Sequence, residues 1–76
     1  MTYFDIGQIL TGRGTTHAEA IEKALLTALP EDLRWDFSRL TQGLRVEVLW
    51  VEAEVSSTVR LVVRIKVIAT DNAWGT

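Results

Sequence analysis

Leu49-Trp50-Val51-Glu52-Ala53-Glu54-Val55-Ser56-Ser57-Thr58-Val59-Arg60-Leu61-Val62-Val63-Arg64-Ile65-Lys66-Val67-Ile68-Ala69 alternates apolar and polar residues on both sides of three small hydroxyl residues. Val59, Leu61, Val63, Ile65, Val67 and Ala69 share one parity, and Arg60, Arg64 and Lys66 share the other. A period of two belongs to a strand with one face turned inward. Before the serines, Leu49, Val51, Ala53 and Val55 alternate with Glu52 and Glu54. If Val55 pairs with Val59 across a three-residue loop, Glu54 stands opposite Arg60, Ala53 opposite Leu61 and Val51 opposite Val63. Faces and charges then agree. A two-residue Ser56-Ser57 loop would set Val55 opposite Thr58 and invert the parity, so the longer loop is predicted.

Upstream, Gly12-Arg13-Gly14-Thr15 reads as a breaker cluster, and Thr16 with Glu19 three residues on forms a capping box that starts a helix near His17. Ala18, Ile21, Ala24, Leu25, Ala28 and Leu29 recur at helical spacing, and Pro30 ends the run. Tyr3 to Leu10 suits a first strand, although Asp5 and Gly7 weaken its alternation. After Asp32 the chain reads as strand almost to its end. Trp35 and Phe37 share one parity, whereas Leu44, Val46 and Val48 share the opposite one, which requires a slip near Thr41-Gln42-Gly43. A bulge at Gly43 keeps one long strand, and a turn there makes two. The fold class is α+β: a β-α-β-β antiparallel sheet with one amphipathic helix on one face, in a single domain over residues 1–76.

The 76 residues include no cysteine and one histidine, which excludes a disulfide framework and a thiolate or multi-histidine metal centre. A domain this small buries only about 60 % of its unfolded surface and needs added support, leaving self-association. A net charge of −2 opposes a nucleic-acid grip. No run approaches the roughly 18 apolar residues of a membrane helix, and Met1 to Leu10 lacks the basic and apolar regions of a signal peptide. A cytoplasmic location is expected. One helix covers one sheet face, yet Val62 and Ile68 interrupt the polar side of the last strand and Trp50 that of its neighbour. Another subunit or a flat apolar ligand is expected to cover them.

Trp35, at the expected start of the sheet, offers either a stacking platform or a core or interface tryptophan. Trp50 reads as an interface residue, and Trp74 as exposed or docked on a neighbouring subunit. Gly12-Arg13-Gly14 could hold an anion at a helix start, but it lacks both the third glycine of a dinucleotide loop and a Lys-Ser/Thr pair, so an ordinary turn is the better reading. His17 is a solvated helix-start residue with no nucleophile fixed near it by a motif. Glu52 and Glu54 have Arg60 and Arg64 as cross-strand partners. No catalytic constellation emerges, and the protein is not expected to be an enzyme.

Several strings resemble the dodecins, small flavin-binding proteins of β-α-β-β fold that form hollow dodecamers. Leu10-Thr11-Gly12 looks like the family's Leu/Val-x-Gly turn, Glu19-Ala20-Ile21 like its helix string, and Leu33-Arg34-Trp35 like its Leu-x-Trp string. Thr41-Gln42-Gly43 is similar to the Thr-Arg-Gly segment of the long second strand, which favours a bulge at Gly43. The resemblance implies a homo-oligomer, a dodecamer, that sequesters FMN, riboflavin or lumichrome without turning it over. Trp35 would stack on the isoalloxazine ring, with Gln42 and Thr58 lining the site. Gln42 replaces the family's arginine, and the family's flavin-reading glutamine has no counterpart in the last strand, its position falling near Thr58 or Val63. The alternative is a structural assembly module without a ligand.

Overall fold

The computed structural model describes residues 3–70. Strand β1 (Ile9–Gly14) leads to helix α1 (His17–Leu26), and a 3-10 turn (Glu31–Asp36) runs into the short helix α2 (Phe37–Leu40). Strands β2 (Arg45–Val55) and β3 (Val59–Ala69) follow. The sheet is antiparallel, in the order β1-β3-β2, so the last strand lies between the first two. The predicted α+β class and β-α-β-β strand order stand, with an added helical segment.

The hairpin has the predicted register: Val55 faces Val59, Glu54 faces Arg60, Ala53 faces Leu61 and Val51 faces Val63. Ser56 N–H donates to the Thr58 carbonyl at 3.0 Å, closing the three-residue loop. Pairing continues to Trp50 opposite Arg64, then skips Leu49, so that Val48 faces Ile65. This bulge lies inside β2 and is not the slip predicted near Thr41-Gln42-Gly43, which has no place because residues 31–40 are helical. One extra residue lets Val46 and Val48 share a face with Val51, Ala53 and Val55 despite opposite parity.

Two further expectations are corrected. The first strand is Ile9–Gly14, and Tyr3–Leu10 is mostly a turn that buries Phe4. Asp5 N–H donates to Gln8 Oε1 at 3.1 Å, Gln8 N–H returns to the Asp5 carbonyl at 3.0 Å, and Gly7 takes φ +93°. Residues 31–40 are helical where a strand was expected. Leu33, Phe37 and Leu40 are spaced by four and three and are half-buried, whereas Trp35, which fits only the strand pattern, faces solvent. Arg39 Nε donates to Asp36 Oδ2 at 2.7 Å within that segment. Gly43 (φ +75°) then turns the chain into β2, a helix-to-strand junction rather than a bulge or hairpin.

Helix α1 starts as predicted, with Thr16 Oγ1 accepting from Glu19 N–H at 3.1 Å. The Glu19 carboxylate accepts from the Thr15 hydroxyl at 3.0 Å, fixing the first turn. Gly12 and Gly14 are strand residues facing this helix, not a turn. A Cβ on Gly12 would overlap the Ala20 carbonyl and the Ala24 backbone, and one on Gly14 would come within 2.7 Å of Ala20 N. The two glycines therefore let α1 settle on β1 through Ala20 and Ala24, both wholly buried. The core joins these alanines to Phe4, Leu25, Leu29, Val63, Ile65 and Val67.

Candidate functional site

Helix α1 packs on β1 and β3. Ten residues of helix reach about 15 Å, whereas an eleven-residue strand reaches about 36 Å. Val51 and Ala53 stand level with Gly12 and Gly14 but to the side of the helix, and Val55 and Val59 lie beyond its end; all four are exposed, Val55 at 74 %. Only Val46 of β2 is half-buried, and none of the strand is buried. The sequence pattern marked this face as inward without revealing that the helix settles over β1 and β3 and leaves β2 bare.

On the opposite face, Arg13 Nε donates to Glu54 Oε1 at 3.1 Å. Arg13 lies on one edge strand and Glu54 on the other, so the pair bridges over the central strand, where Val62 faces Arg13 and Arg60 faces Glu54. Val62 is only 5 % exposed, which corrects its expected place in an uncovered patch. Trp50 and Ile68 remain 42 % and 41 % exposed. The Arg64 guanidinium lies 5.3 Å from the Trp50 ring centroid, a cation–π contact between paired residues. Glu54 thus faces Arg60 but bonds Arg13, and Arg64 serves Trp50 rather than a glutamate.

Trp35 sits on the 3-10 turn and is 80 % exposed, not at the start of the sheet. Gln42 lies exposed in the turn before β2, seven residues along the same segment. Thr58 is exposed at the hairpin tip, beyond the far end of β2. The strand separates Gln42 from Thr58 by about 35 Å within one chain, so the three predicted site residues do not converge in a protomer. His17 is an exposed first residue of α1. Trp74 lies outside the described residues. The hydrogen bond and charge of Asp36 hold the Arg39 pKa above its ordinary value. Among the described residues no group of His, Cys, Asp and Glu is arranged to hold a metal, and no helix is long and apolar enough to cross a membrane.

Comparison with protein-family models, with curated proteins and with solved structures finds no match to this chain.

Proposed function

We propose that the protein is a non-catalytic flavin-binding homo-oligomer, a dodecamer, in which Trp35 stacks on the isoalloxazine ring of FMN, riboflavin or a related flavin. The observation that carries this reading is an indole 80 % exposed on a short helical segment, a flat apolar surface available to a flat ligand. The resemblance of Leu33-Arg34-Trp35 to the dodecin string selects flavin from among planar aromatics. Gln42 would supply polar contacts from the same segment, and Thr58 would come from a neighbouring protomer, because one chain holds it too far away. Stacking beside an indole gives excited flavin a quenching path, so storage or photoprotection follows from binding. A cytoplasmic setting is part of the proposal, as the fold uses no disulfide.

A flavin titration followed by fluorescence tests this. Quenching on addition of protein, abolished in Trp35→Ala, is expected, and a flavin whose emission the protein never changes would overturn it. A second reading, an assembly module without ligand, is favoured by the exposed Trp50, Val51 and Val55. Under it, Trp50→Ala dissociates the oligomer while flavin leaves the melting temperature unchanged.

A further inference from the structure

Strand β1 is an edge strand, and two adjoining grooves run between it and α1. The first, of about 400 Å³, is lined by Thr11, Arg13, Lys23 and Arg34 among others. The second, of about 360 Å³, shares Arg13 and Lys23 and adds Thr15, Glu19 and Arg60. Four of the chain's eight Lys and Arg residues line this track, against one of its ten acidic residues. The molecule is net negative, so the cations are segregated here against the overall balance. Glu19 is turned to the Thr15 hydroxyl, and Glu54 holds Arg13 Nε on the sheet face opposite α1, which leaves Lys23 and Arg34 to meet an anion in the groove. Among the described residues neither Lys23 nor Arg34 has a carboxylate partner. Like charges brought together along a groove repel one another unless an anion joins them.

We propose that this groove binds a small phosphorylated molecule through two linked or neighbouring phosphoryl groups. Arg34 engages one group and Lys23 the other. Guanidinium forks match phosphate oxygens two at a time, and an ammonium adds a compact charge. Two separate cations along one groove suit a doubly phosphorylated ligand better than a single anion. The proposal is independent of flavin binding at Trp35, since none of the groove residues is needed for stacking.

Pyrophosphate titrated calorimetrically into the full chain, in about 0.1 M salt to screen diffuse attraction, tests it. One saturable site per chain is expected, with orthophosphate binding more weakly. Loss of one charge-assisted contact should weaken pyrophosphate about tenfold in either Lys23→Gln or Arg34→Gln. Both side chains belong to exposed residues, and circular dichroism confirms that each variant retains its fold. Lys66→Gln, an exposed cation outside the groove, should leave affinity within about twofold, since distant rim charges act weakly. Absence of saturable binding, an equal loss in Lys66→Gln, or orthophosphate binding as tightly as pyrophosphate would each overturn the proposal.

Discussion

Gly12 shows how one residue type can carry two meanings. Beside Arg13, Gly14 and Thr15 it reads as a loop breaker, yet its function is to let the backbone of α1 approach β1. Sequence spacing does not distinguish a glycine that bends the chain from one that makes room for a neighbour. Gly12→Ala should destabilise the protein by about 1–3 kcal/mol, the usual range for overpacking, read as a lower urea midpoint at unchanged slope. Thr16 was legible because its partner stands at a fixed offset, and Thr16→Ala should cost about 1 kcal/mol in the same experiment. Trp35 is the contrasting case. Packing so little of its surface inside the protomer, it should tolerate Trp35→Ala with a change within about 0.5 kcal/mol, while flavin quenching is lost. A large loss of protomer stability would assign the indole to the core.

Among the elements, the hairpin was legible down to its register because two independent constraints, apolar parity and opposed charge, select the same loop length. Deleting Thr58 removes that agreement. A one-residue shift would turn Val63, Ile65 and Val67 away from α1, so the deletion variant should lose the dispersed amide spectrum of a folded domain, whereas Ser57→Gly, which keeps the loop length, should retain it. The segment Glu31–Leu40 was not legible as a helix. Trp35 and Phe37 suggest a strand and Leu33, Phe37 and Leu40 a helix, and short apolar runs satisfy both periods. Burial decided between them, since Phe37 and Leu40 pack together against the core while Trp35 faces solvent. The Arg13–Glu54 bridge across the sheet joins strands far apart in sequence and had no local signal. Both side chains are at least half exposed, so Glu54→Gln should alter stability by less than about 1 kcal/mol, a smaller effect than that of Gly12→Ala.

At the scale of the whole molecule, shape explains the need for partners. The chain is flat and extended, 46 × 25 × 14 Å, because a short helix is laid on one end of a long hairpin. The sequence indicated that one sheet face would be uncovered. The structure refines this: Val62 is buried within the protomer, between Arg13 and Glu52 of the flanking strands, while β2 presents exposed apolar residues on both of its faces. Among the described residues the outer edge of the eleven-residue β2 also leaves the backbone groups of every second residue without a sheet partner. Burial of each large apolar side chain in an assembly contributes about 1.5–3 kcal/mol, so several acting together can hold protomers in a stable oligomer. Trp35, Gln42 and Thr58 can form a single site only across such contacts. Native mass measured by light scattering at micromolar concentration is therefore the most direct test of this account. A closed multiple of the 8.5 kDa protomer, twelvefold for the proposed dodecamer, is the predicted result, and a stable monomer with dispersed apolar strands would contradict it.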